Sequence, residues 1–187
     1  MNIWWVRHGP THRKTMVGWS DVDADLSDHD AVSRLDKFLP QAPIFTSDLV
    51  RTIQTGDAIA PRTRLGENAK LREIHFGDWE LRAFNEIEAE SPELIRAFWE
   101  QPGDIAPPNG ESWNAFAERI NGAVDQLIKQ PHEDLIIVAH FGVIISQIAR
   151  ALDVSPYQAF AHKIDNLSVT KITYPTPAKP AFINHIA

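Results

Sequence analysis

The stretch Asn2-Ile3-Trp4-Trp5-Val6-Arg7-His8-Gly9 decides how this chain is read. Its first part is apolar and rich in β-branched and aromatic residues, so residues 2–6 read as a buried strand. Where the apolar run stops, a cation and an imidazole stand together before a glycine. A second run, Leu135-Ile136-Ile137-Val138-Ala139, ends the same way, in His140-Phe141-Gly142. Two strands that each deliver a histidine at the carboxyl end suggest one site built from both. Either histidine alone would more often be structural, so the inference rests on their pairing.

Working outward, apolar strands alternate with helical patterns. Ser27 followed by Asp30 resembles a capping box that opens a helix running to about Leu39. Residues 44–46 read as a short strand, and Ser47-Asp48 as the cap of a helix ending near Ile59. Residues 62–78 read as irregular. A helical pattern over 83–99 is interrupted at Ser91-Pro92, where a new helix can start. In 111–130, Phe116, Ile120, Val124, Leu127 and Ile128 share one face. A helix from about Val143 to Leu152 follows the second histidine, and residues 166–174 and 181–186 read as two closing antiparallel strands. This order predicts an α/β fold, a three-layer α/β/α sandwich with a mostly parallel central sheet. The length of 187 residues suits one domain, 1–187, with a helical cap segment around 82–114.

Composition narrows the function. The net charge of −7 argues against nucleic acid or an anionic membrane as a bulk partner. No apolar run approaches a membrane span, and no secretion signal is read at the start, so a cytoplasmic location is expected. Without cysteine, thiolate metal sites and cysteine nucleophiles are excluded. Open α/β sheets bind ligands beyond the carboxyl ends of their strands. His8 and His140 fall there, and so does Arg51, in the first turn of the helix after the 44–46 strand. Arg7, Arg51 and the two histidines suit a compact polyanion, phosphate above all, because guanidinium forks match its oxygens. A metal triad of His8, His12 and His140 is disfavoured by the two adjacent arginines.

Four segments in order, Arg7-His8-Gly9-Pro10-Thr11, Ser47-Asp48-Leu49-Val50-Arg51-Thr52, Leu71-Arg72-Glu73 and Val138-Ala139-His140, resemble the motifs of the histidine phosphatase (phosphoglycerate-mutase-like) superfamily. Phe76-Gly77-Asp78-Trp79-Glu80 and the Pro108-Asn109-Gly110-Glu111 loop are most similar to the α-ribazole phosphatases of cobalamin assembly. The resemblance implies a phosphoglycerate-mutase-like fold and a metal-independent phosphomonoesterase without cofactor, acting on a small phosphomonoester, with α-ribazole 5′-phosphate as one candidate. It implies His8 as the nucleophile that forms a phosphohistidine, and Glu73 as the acid and base. Arg7, Arg51 and His140 are then the phosphate ligands. Lys14 and the backbone N–H groups of Phe141 and Gly142 are possible additional contacts. The chain departs from the family pattern at Pro10, at Lys14, where asparagine is common, and at Phe141, where glycine often stands. Two alternatives remain: a phosphoglycerate mutase, and a catalytically idle member that binds phosphorylated ligands or a protein. Oligomeric state is not readable.

Overall fold

The computed structural model describes residues 1–59, 61–175, 177 and 179–187. Its centre is a six-stranded sheet in the order β3-β2-β4-β1-β5-β6. The strands are β1 (Asn2–Arg7), β2 (Ile44–Thr46), β3 (Arg64–Glu67), β4 (Asp134–Ala139), β5 (Val169–Thr173) and β6 (Phe182–His185). The pairs β1–β4, β4–β2 and β2–β3 are parallel, and β5 and β6 close the sheet in antiparallel fashion, as expected. β3 is a correction: residues 64–67 were expected to be irregular. Arg64-Leu65-Gly66-Glu67 is a half-exposed edge strand without the apolar alternation that would have announced it.

Register places the site. Arg7 of β1 lies opposite Ala139 of β4, and Thr46 of β2 lies opposite Val138. His8, Ser47 and His140 therefore leave three adjacent strands at nearly one level. The His8 N–H extends the ladder by one bond, to the Ala139 carbonyl at 3.0 Å.

Helices cover both faces. Ile3, Trp5, Leu135 and Ile137 pack on one side with Phe116, Ile120 and Val124 of α5 (Trp113–Leu127) and with Val143, Ile144 and Ile148 of α6 (Phe141–Leu152). Val6, Ile136 and Val138 face the other side, toward Leu35 of α1 (His29–Phe38), Leu39 and Ile59, which follows α2 (Val50–Ala58). The alternation follows from side chains pointing to opposite faces along a strand. α3 (Phe84–Glu90) and α4 (Pro92–Glu100) split at Ser91-Pro92 as the sequence suggests, and Ile87, Ile95 and Phe98 tie them into the first core. α7 (Pro156–Ala159) is one short turn. Among the described residues no helix is long and apolar enough to cross a membrane.

Two caps differ from expectation. α1 is capped by Asp28, whose carboxylate accepts from the Ala31 N–H at 2.9 Å, while Ser27 N–H donates to Asp25. α2 takes its cap from outside: Val50 N–H donates to Asp21 Oδ1 at 2.7 Å. Ser47 and Asp48 are thereby released for other work.

Candidate active site

His8 lies directly after β1 and is only 7% exposed. Its Nδ1 is 2.7 Å from the Gly9 carbonyl oxygen, which can only accept. Nδ1 therefore carries the proton and Nε2 keeps its lone pair. Burial first, then Arg51 and Arg7, lower the His8 pKa to about 3, so the ring stays neutral across the physiological range. The backbone around it is tied down: Asn166 Nδ2 donates to the His8 carbonyl at 2.8 Å, and Gly9 N–H donates to Thr55 Oγ1 at 3.0 Å.

Arg51, 1% exposed, is held along its whole head. Nη1 donates to the Ser20 carbonyl at 2.9 Å, Nη2 to the Gly18 carbonyl at 2.6 Å and Nε to His140 Nδ1 at 3.2 Å. Since Arg51 always donates, His140 Nδ1 accepts and its proton sits on Nε2, which faces Ser47 Oγ at 2.8 Å. Ser47 Oγ meets Thr52 Oγ1 at 2.9 Å, and Thr52 Oγ1 donates to the Ser47 and Leu49 carbonyls. The Ser47 hydroxyl, read in the sequence as a helix cap, instead accepts from the His140 Nε2–H that Arg51 leaves protonated. Burial, with Arg51 next, holds His140 well below the usual imidazole range. The rings of His8 and His140 meet edge to face with centroids 5.2 Å apart.

The loop that holds Arg51 is itself organised by Glu80. Its carboxylate accepts from the backbone N–H groups of Gly18, Trp19, Ser20 and Phe76 and from the Ser20 hydroxyl at 2.6–3.2 Å. These bonds keep Glu80 below the usual carboxylate range although burial pushes the other way. Gly18 is required there, because a Cβ would collide with the Ile74 carbonyl and Glu80.

Glu73 is 8% exposed, and burial raises its pKa. Oε1 accepts from Ile74 N–H and Oε2 from Gly142 N–H, both at 2.9 Å. Arg72 turns away and pairs in a fork with Asp48 at 2.6 and 2.7 Å. Arg119 pins the chain from the other side through the Lys70, Arg72 and Glu73 carbonyls and a fork to Glu111. Trp19 Nε1–H donates to the Glu73 carbonyl at 2.8 Å.

These groups meet at a cleft of about 300 Å³ lined by Arg7, His8, Thr11, Arg13, Thr15, Met16, Val17, Arg51, Glu73, Phe76, Trp99 and Phe141. Arg7 donates from Nη1 to the Ile164 carbonyl at 2.5 Å, and its Nε is buried without an acceptor. Three arginines against one buried carboxyl make the cleft locally cationic on an acidic chain.

The other sequence candidates divide between the cleft and its surroundings. Lys14 is exposed and does not line the cleft, whereas Arg13, not singled out in the sequence, does. The Gly142 N–H is committed to Glu73 and is not open to a ligand. His140 stands behind Arg51 with both ring nitrogens engaged, outside the cleft lining. His12 pairs with Asp25 at 2.7 Å on the surface and joins neither of the other histidines. Phe141, at the start of α6, does reach the cleft, with its ring 5.6 Å from the Arg7 guanidinium carbon.

A fold of this kind carrying a strand-end histidine among arginines is found in known proteins. Residues 3–181 match the histidine phosphatase superfamily (branch 1), and the chain belongs to that superfamily. Among its relatives is the adenosylcobalamin/alpha-ribazole phosphatase of Escherichia coli K12, 26% identical over 87% of this chain and 84% of that protein. Another is the glucosyl-3-phosphoglycerate phosphatase of Mycolicibacterium vanbaalenii, 31% identical over 79% of this chain and 72% of that one. The crystal structure of the alpha-ribazole phosphatase from Shigella flexneri superposes with a TM-score of 0.87 at 23% identity, covering 100% of this chain and 98% of that one, which establishes the shared fold.

Proposed function

We propose that this chain is a metal-independent phosphomonoesterase that works through a phosphohistidine on His8. The observation that carries the proposal is the bond from His8 Nδ1–H to the Gly9 carbonyl, which leaves the Nε2 lone pair in a cleft shared with Arg7, Arg51 and Glu73. In the first step Nε2 attacks phosphorus and the P–O bond to the alcohol breaks. Glu73, whose pKa burial raises, gives its proton to the departing alkoxide. In the second step the Glu73 carboxylate takes a proton from water, the hydroxide attacks phosphorus and the P–N bond breaks, which restores His8 and frees phosphate. Arg7 and Arg51 stabilise the charge spread over the phosphoryl oxygens, a role a metal ion fills elsewhere. His140 acts through Arg51: its lone pair orients the guanidinium.

The relatives support a small phosphorylated metabolite as substrate, and α-ribazole 5′-phosphate is a candidate on the strength of those named for it. In this reading the chain is a single domain whose segment 82–114 caps the cleft, with Trp99 of α4 in the lining. A soluble cytoplasmic setting accords with it. The test is hydrolysis of p-nitrophenyl phosphate after exhaustive chelation. Turnover by the wild type and none by His8→Ala is expected; wild-type rates in His8→Ala, or full dependence on added metal, would overturn the proposal.

A further inference from the structure

Beside the phosphate cleft lies a second, smaller space of about 40 Å³, in the measure where one water needs about 10–15 Å³. It shares Glu73, Phe76, Trp99 and Phe141 with the cleft. Beyond them its walls are Ile74, Phe98, Pro102, Trp113, Gly142 and Phe160, so among the described residues Glu73 is its one ionisable neighbour. The aromatic rings brace one another. Trp99 meets Phe98 edge-on at 5.0 Å, Trp113 meets Phe160 at 4.9 Å, and Phe141 lies parallel to Phe160 at 6.5 Å. Trp99 and Phe141, which line both spaces, are only partly buried. Trp99 Nε1–H is buried without an acceptor.

We propose that this aromatic annex receives the leaving group. It selects phosphate esters whose alcohol carries an uncharged, apolar, preferably flat end, and rejects those carrying a carboxylate. The inference rests on the phosphatase reading above, which places the departing oxygen beside Glu73, the residue common to both spaces. An apolar group entering the annex exchanges water for aromatic faces. A carboxylate entering it would lose its hydration with no cation among the annex walls to replace it.

The experiment compares kcat/KM for methyl, propyl and benzyl phosphate and 3-phosphoglycerate, all esters of unactivated alcohols. Benzyl phosphate is expected to exceed methyl phosphate by about tenfold or more, and to exceed 3-phosphoglycerate by at least as much. In Trp99→Ala and Phe160→Ala the benzyl-to-methyl ratio is expected to fall about tenfold, mainly through KM. Phe160→Leu, which retains bulk without the ring, serves if either alanine variant fails to fold. A flat series in the wild type, or an unchanged ratio in folded variants, would overturn the annex while leaving the phosphatase reading intact. No turnover of any ester would overturn both.

Discussion

On one wall of the cleft Arg51 spends its head on two carbonyls and an imidazole, and Glu80 in turn spends its carboxylate on the loop bearing those carbonyls. On the opposite wall Trp99 has an N–H with no acceptor, and Phe141 touches its neighbours only through ring faces and edges. The polar wall is a frame in which moving one group unseats the next. The aromatic wall is held by dispersion, which tolerates small displacements. The difference teaches a division of labour. Chemistry at phosphorus depends on the frame and should be brittle, whereas choice of leaving group depends on packing and should be tunable.

Substitutions break or sharpen that contrast. The largest expected effect is His8→Ala, with kcat for any phosphomonoester down by about 10⁴-fold or more, since among the described residues His8 is the one imidazole lining the cleft. Glu73→Gln is next, with a loss of about 10²–10⁴-fold. It should also remove the fall in rate as pH rises through the elevated Glu73 pKa, a readout that lost packing would not imitate.

Gly142→Ala should be smaller and informative. A Cβ there would collide with Glu73 Oε1, yet alanine suits a helix better than glycine. We expect kcat down by up to about 10²-fold with little change in Tm, because a small misplacement of the acid is costly to rate but not to folding. Equal activity would show that Glu73 is not held as tightly as the Gly142 N–H bond implies. Glu80→Gln should raise KM about tenfold through the loosened Arg51 loop, with kcat less affected. A loss confined to kcat would contradict the chain from Glu80 to Arg51.

The smallest effect is on stability against pH. His8 is held at about 3 and His140 well below the usual range. As pH falls below about 6.5, the unfolded chain takes up a proton at each ring that the folded chain refuses. Folding stability should therefore decline from about pH 6.5 toward 3. The decline should be shallower in His8→Ala by urea unfolding, since one of the two refused protons is gone.

The same contrast explains what could be read in advance. Arg7, His8 and Arg51 could be placed at the cleft from the sequence because each sits at a strand end or first helical turn, where local pattern and topology agree; His140 could be placed at its strand end but not behind Arg51. Glu73 was legible only through its motif, since its burial depends on Gly142, 69 residues away. Glu80 and Asp21 were not seen in their roles, because their partners lie up to 62 residues off in loops without periodicity. Ser47 and Asp48 were misread as caps because their residue types fit a helix start, while tertiary partners claimed them. Lys14 was favoured over Arg13 by motif position alone, and only the path of the loop decides which of the two faces the cleft. The annex was invisible as a unit: its rings come from five separate segments, and each reads alone as core.

The most direct measurement is rapid-quench trapping of the protein during turnover of a phosphorus-labelled ester. The account predicts label bound stoichiometrically to the chain in alkali-stable, acid-labile form, located at His8 by peptide mapping, accumulating in Glu73→Gln and absent in His8→Ala. Turnover with no protein-bound label in any variant, and inversion of configuration at phosphorus with a chirally labelled ester, would show direct attack by water and contradict it.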